Sequence, residues 1–272
     1  MTSAASPAST AREFAPVVEG GYRANLGAQV PAQPAIISIV TVTLNALSAL
    51  KVTVDSVAAQ GWDRIEHIVV DGASTDSTVD FLRSLGTQIA YWRSARDKGI
   101  YDAMNIGMLL ARGQYVLFLN SGDLLVNRPL IPGRDYGRLL PVLKTNVLGR
   151  YEYFRFRKLS ECMPYSHQGI LFRNRNLKPF DTRFRIAADY QFLLDNLENA
   201  GLSPPDDPSG GYVVFDATGV SSTQILQRDC ESARIIRARF GIWHWLRFWG
   251  RQLPKLALRW GVRVAGLGHV RR

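Results

Sequence analysis

The sequence predicts an α/β fold, a mixed and mostly parallel sheet with helices on both faces. Three observations lead there. Apolar, β-branched runs recur at 36–43, 65–71 and 115–119, each short enough for a buried strand. Segments with helical spacing lie between them. Polar clusters follow each run: Thr43–Asn45, Asp71–Asp76 and Asn120–Asp123. Alternation of this kind builds parallel βαβ units, and such sheets bind ligands beyond the carboxyl ends of their strands.

The elements follow in order. Residues 1–34 are rich in Ala, Ser, Pro, Gly and Gln without sustained periodicity, which predicts a mostly flexible arm. A strand begins at Ile36, and 46–60 reads as a helix ending at Gly61. Ile65–Asp71 is the second strand, and Asp76 is placed to cap a helix running to about Leu85. Ile89–Trp92 is a short third strand. Ile100–Arg112 is helical, with Gly113 at the position just past its end. Tyr115–Leu119 is the fourth strand. Beyond it, 140–149, 151–158, 169–172 and 212–216 read as strands and 186–200 as a helix. From about Ser222 the chain turns helical and basic. These boundaries divide the chain into an arm (1–34), a central α/β domain (35–224) and a C-terminal helical extension (225–272).

Length and composition bound the function. A chain of 272 residues, 46% apolar and 21% charged, can bury a core without staples. Two cysteines, Cys162 and Cys230, exclude a disulfide scaffold and read as buried free thiols of a reducing compartment. No apolar run of membrane-spanning length and no signal-peptide pattern occur, so a cytoplasmic location is expected.

The net charge of +10 suggests nucleic acid until it is mapped. Ser232–Arg272 carries ten Lys plus Arg and no Asp or Glu, which leaves 23 of each sign in residues 1–231. The neutral body argues against a nucleic-acid partner, and the excess describes what the tail touches. Arg247, Arg251, Lys255, Arg259 and Arg263 step by four. Ile242, Leu246, Trp249, Leu253, Leu256, Trp260 and Val264 are predicted on the opposite side. Trp with Arg on an amphipathic helix is the composition of an interfacial helix on an anionic membrane, separable from the catalytic body. Gly250 and Pro254 are expected to break it in two.

Carboxylates at strand ends suit a phosphorylated, metal-bound ligand, although Asp76 alone is more often a helix cap. No phosphate-binding glycine loop and no nucleophile elbow are present.

Five segments carry a resemblance: SIVTVTLNA (38–46), IEHIVVDGASTDST (65–78), DKGIYDAMNIGMLLARGQYVLFLNSGD (97–123), SHQG (166–169) and FRIAADYQFLL (184–194). With them the chain resembles bacterial glycosyltransferases of family 2, which have the GT-A fold. The resemblance implies inverting transfer of a sugar from a nucleotide-diphosphate-sugar donor, a hexosyltransferase-type reaction. It implies that Thr43, Asn45, Asp71 and Ser74 line the nucleotide pocket, with Asp71 reading the base. Asp97, Lys98, Tyr101, Asp102 and Asn105 would approach the diphosphate and sugar. The family's acidic cluster after strand four is reduced here to Asn120-Ser121-Gly122-Asp123, which makes Asp123 the implied ligand of a divalent cation, Mn or Mg. His167 resembles the histidine that completes that site in some relatives, although a lone loop histidine is more often structural. Asp189 matches the catalytic base, although its place in a first helical turn also suits a macrodipole partner.

The processive signature Gln-x-x-Arg-Trp is broken, since Leu256 precedes Arg259-Trp260. That implies transfer of a single sugar, to a glycan or lipid-linked acceptor at the inner membrane face, in surface-polysaccharide assembly. Two other readings share the architecture. A nucleotidyltransferase would need the phosphate loop that is missing. A non-catalytic nucleotide-sugar-binding protein is compatible with the reduced acidic cluster.

Overall fold

In the computed structural model the described residues are 17–25, 33–62, 64–126, 140, 142–145, 151–153, 158–163, 166–200, 211–216 and 224–267. The central sheet has the strand order β1-β4-β3-β2-β5-β9, with β1 (Val18–Gly20) and β9 (Phe172–Arg173) at its edges. Its four inner strands are β2 (Ile37–Thr43), β3 (Ile65–Asp71), β4 (Tyr91–Ser94) and β5 (Tyr115–Phe118), all mutually parallel. Every residue of β2 is buried, as a strand covered on both faces requires. Val40 and Val42 face one apolar cluster, with Met104, Phe118 and Phe192. Ile37 and Ile39 face another, with Val57 and Leu117. Helices α1 (Leu47–Ala58), α2 (Thr78–Ser84) and α3 (Ile100–Leu110) connect these strands, and α4 (Ala188–Asp195) follows later.

A smaller sheet, β6-β10-β7-β8, joins Leu124–Val126, Tyr212–Asp216, Val142–Thr145 and Tyr151–Tyr153. Only β7 and β10 are parallel in it. The central strands therefore match the predicted mixed, mostly parallel sheet, and β7 and β8 lie within the expected 140–149 and 151–158 strands. Residues 146–150 and 154–157, part of those expected strands, lie outside the described residues.

Several expectations need correction. The arm is not wholly without structure: β1 (Val18–Gly20) pairs antiparallel with β4. It is pinned by Arg23, whose guanidinium donates to the buried Glu66 carboxylate at 3.0 Å. Residues 1–16 and 26–32 lie outside the description. The segment 169–172 is a 3-10 turn, His167–Gly169, followed by β9 (Phe172–Arg173) antiparallel to β5. Gly113 does not end α3, which stops at Leu110. It lies instead where a Cβ would meet the Ser38 backbone N at 2.7 Å, so its smallness serves a close approach to β2. Cys162 is half-buried and Cys230 exposed, so neither is a core thiol.

The C-terminal helices differ most. Helix α5 (Ile225–Phe240) is followed by α6 (Ile242–Leu267), and the break lies at Gly241, whose φ is +86°. Helix α6 runs unbroken through Gly250 and Pro254. Both are exposed, so the Gly250 carbonyl freed by proline faces water. The extension also packs on the body. Ala233, Ile235, Ile236 and Phe248 share one buried cluster with Ala187, Tyr190 and Leu194. The apolar residues of α6 split between two faces: Trp249 and Leu256 are half-buried, while Ile242, Trp243, Leu246 and Leu253 are exposed. Among the described residues no helix is long and apolar enough to cross a membrane.

Candidate active site

A cavity of about 790 Å³ opens at the carboxyl edge of the central sheet. Of the residues singled out in the sequence it gathers Thr43, Asp97, Tyr101, Asn120, Asp123, His167 and Asp189. They come from the ends of β2 and β5, the start of α3, the 3-10 turn and the first turn of α4. The others sit outside its wall.

Their side chains build the loops around it. The Asp71 carboxylate is buried and accepts from the Ser74 amide at 3.0 Å, from the Ser74 hydroxyl, and from the Ser94 hydroxyl at 2.5 Å. Asn45, at φ +49°, accepts from the Thr75 amide at 2.8 Å and donates its own amide to Ser74 Oγ at 2.7 Å, which ties the first two strand-end loops together. Asp76 accepts from the Thr78 and Leu47 amides, so it joins α2 to α1 and does not serve as the N-cap, which is Ser77. Asp102 accepts from the Lys98 amide. Asn105 clasps the Phe180 backbone through both its amide nitrogen (3.0 Å) and its oxygen (2.8 Å).

Inside the cavity the carboxylates meet different surroundings. Asp97 accepts from the Gly99 amide, and burial raises its pKa above the usual carboxylate range. Asp123 is almost fully enclosed. It accepts from the Asp216 amide at 2.9 Å and the Asn120 amide at 3.0 Å. Burial pushes it up to about 7, against the pull of those amides, of His167 and of Gln168. Asp189 stays partly open, with its side chain 24% exposed. Its Oδ2 lies 3.4 Å from His167 Nδ1. Among the described residues the opposite ring nitrogen, Nε2, is buried with no hydrogen-bond partner, as is the Asn120 side-chain oxygen.

These orphaned atoms test whether a divalent cation fits. A metal-bound histidine commonly directs its second nitrogen at a carboxylate, which is the relation of His167 to Asp189. No group of three His, Cys, Asp or Glu among the described residues could hold a metal by itself. A cation held mainly by diphosphate oxygens needs only one or two protein ligands, and His167 Nε2 with Asp123 fits that arrangement.

The cavity also has a wall that sequence reasoning missed. Arg185, Asp216, Arg228, Asp229, Gln252 and Lys255 line it, and all but Arg185 and Asp216 belong to α5 or α6. One signal was available: Asp229 and Glu231 are the last acidic residues before a 41-residue stretch without any, and both are buried. Leu256, at the position of the glutamine in the processive signature, faces the same cavity.

Comparison with known proteins agrees with this architecture. A family model, Glycosyl transferase family 2, matches residues 38–131. An uncharacterized glycosyltransferase of Mycobacterium tuberculosis is 32% identical over 206 residues, covering 68% of this chain and 77% of its own. An Escherichia coli protein named UDP-Glc:alpha-D-GlcNAc-diphosphoundecaprenol beta-1,3-glucosyltransferase is 32% identical over 89 residues, 32% of this chain and 36% of its own. Among solved structures, S. aureus TarS 1-349 in complex with UDP-GlcNAc has a TM-score of 0.54 at 20% identity. That match covers 74% of this chain and 65% of the other, and carries the fold. With this sheet, this cavity, the matching family model and a glycosyltransferase relative 32% identical over 77% of its own length, the chain belongs to bacterial glycosyl transferase family 2 and is a glycosyltransferase with the GT-A-like fold.

Proposed function

We propose that the protein transfers a single sugar, with inversion, from a nucleotide-diphosphate-sugar to a glycan or lipid-linked acceptor in bacterial surface-polysaccharide assembly. One observation carries the reading: Asp189, partly open, stands in the same strand-end cavity as the enclosed Asp123 and His167. In the reaction the acceptor oxygen forms a bond to the anomeric carbon as the bond to the diphosphate oxygen breaks. The electron pair of that bond leaves with the diphosphate. Asp189 takes the acceptor proton, which a carboxylate within reach of the hydroxyl can do. His167 and Asp123 would hold a divalent cation, Mn or Mg, which supplies charge compensation to the leaving diphosphate. Leu256 in place of glutamine favours single transfer over processive extension.

The acceptor approaches from the α5–α6 side, where Arg185 and Lys255 stand at the wall. Beside it, the outward face of α6 exposes Ile242, Trp243, Leu246 and Leu253, flanked by Arg247 and Arg251. This face suits peripheral binding to an anionic membrane, which would bring the cavity to a lipid-linked acceptor. The E. coli relative, whose name specifies a diphosphoundecaprenol-linked acceptor, supports the same reading.

The test is release of nucleoside diphosphate from a panel of UDP-, GDP- and dTDP-sugars, with Mn²⁺, Mg²⁺ or chelator. Cation-dependent turnover of at least one donor is expected. Donor binding with no turnover, with or without cell-envelope lipid extract, would favour the non-catalytic reading.

A further inference from the structure

The segment that delivers Asp189 is held by a residue from far along the chain. Helix α4 begins at Ala188, and its N-cap, Ala187, has no side chain that could cap it. The buried carboxylate of Glu231, on α5, takes over the backbone there. Its Oε2 accepts from the Ile186 amide at 2.8 Å and the Ala187 amide at 2.9 Å. Its Oε1 accepts from the Arg185 amide at 3.1 Å and from Gln227 Nε2 at 3.0 Å. From the other side, the Tyr101 hydroxyl of α3 donates to the Ile186 carbonyl at 2.5 Å. Ile186 and Ala187 are buried, so their amides would have no solvent to turn to if the carboxylate were lost.

We infer that Glu231 is a positioning residue for catalysis: its clamp on Arg185–Ala187 sets where the Asp189 carboxylate stands against His167 and the acceptor. The inference rests on the proposed role of Asp189 as base. Asp189 comes two residues after the last clamped amide, in the first turn of α4. A rotation of that turn moves the carboxylate directly, whereas Asp97 and Asp123 are mounted on other elements. Burial raises the proton affinity of Glu231, but the Ile186, Ala187 and Arg185 amides outweigh it and hold the carboxyl below its usual range. The clamp therefore stays charged at neutral pH. The same helix carries Arg228, Asp229 and Ser232 on the cavity wall. Helix α5 thus shapes the acceptor side and fixes the base at once, which gives a catalytic reason for its packing into the body.

The experiment compares wild type, Glu231→Gln, Asp189→Asn and the double variant as full-length chains, with the panel donor that is turned over fastest. Gln keeps the volume but replaces one acceptor oxygen with an amide that cannot accept. Glu231→Gln should lower kcat about 10- to 100-fold, the scale of a small misplacement of a reacting group, with the donor KM nearly unchanged. Hydrogen exchange at 185–187 should quicken. Added to Asp189→Asn, Glu231→Gln should lower kcat little further. A folded Glu231→Gln protein with wild-type kcat, or one losing the same factor with and without Asp189, would overturn the inference. Wild-type kcat in Asp189→Asn alone would instead overturn the base assignment. Should Gln also prevent folding, Gln227→Ala, which leaves all three backbone contacts, should fold and keep kcat near wild type. Loss of kcat there would contradict a clamp made by the backbone contacts.

Discussion

His167 Nδ1 and Asp189 Oδ2 stand 3.4 Å apart, although 22 positions separate them in sequence and they belong to different elements. The contact joins two roles that the sequence assigns separately, a cation ligand and a base. The imidazole has one nitrogen turned to the carboxylate and the other buried without a partner among the described residues. In the proposed mechanism Asp189 would orient His167 while its partly exposed side chain faces the acceptor.

This pairing predicts a split between two substitutions of Asp189. Asparagine keeps an oxygen toward His167 but is no base. Alanine loses both functions. Mn²⁺-dependent binding of the nucleoside diphosphate of the best panel donor, measured by calorimetry, should persist in Asp189→Asn. It should weaken roughly 10- to 100-fold in Asp189→Ala, the usual cost of losing a ligand-orienting carboxylate. Equal cation-dependent affinity in both variants would separate Asp189 from the cation site.

His167→Ala and Asp123→Ala test the ligands themselves. Asp123→Ala should abolish the cation-dependent part of that nucleoside diphosphate binding. His167→Ala should weaken it, and more with Mn²⁺ than with Mg²⁺, because imidazole favours the transition metal. An unchanged Mn²⁺ preference in His167→Ala would remove the histidine from the site.

The exposed face of α6 makes a third prediction. Trp243 is 76% exposed, beside Leu246 and Leu253. Changing these three to Ser should reduce co-sedimentation with vesicles containing anionic lipid, and high salt should weaken the wild-type interaction without abolishing it. Because the three point away from the cavity, donor turnover in solution should remain near wild type. Wild-type pelleting by the triple variant would contradict membrane docking by this face.

A fourth concerns pH and stability. His67, mid-strand in β3 with Nε2 2.9 Å from Thr41 Oγ1, is buried, and burial lowers its pKa to about 4. The unfolded chain protonates it near pH 6.5, so between pH 6.5 and 4 the unfolded state binds more proton and stability falls. Between pH 7 and 4.5 the loss should be roughly 2–3 kcal/mol. Urea unfolding at both pH values should show that drop in wild type and a smaller one in His67→Gln. Equal drops would assign the acid sensitivity to other groups.

Much of the sheet was legible because its signals are local. The β-branched runs at 65–71 and 212–216 mark β3 and β10 to the residue. The roles of strand-end side chains were not, because they depend on partners from other loops. Asp71, implied to read the base, is buried and accepts from Ser74 and Ser94, contacts that no local pattern announces. The tail misled for a related reason. Apolar residues at helical spacing do not say which of two faces meets protein. Trp249 and Leu256 turned inward while Leu246 and Leu253 did not. Glu231, which ties α5 to residues 185–187, left only the abrupt end of negative charge as a trace.

The most direct measurement of the central claim is the turnover of the best panel donor by Asp189→Asn against wild type, with donor affinity measured in parallel. A base at this position predicts a fall in kcat of about two to four decades with donor affinity nearly unchanged. Near-wild-type turnover by the Asn variant would contradict the account and require another group to take the acceptor proton.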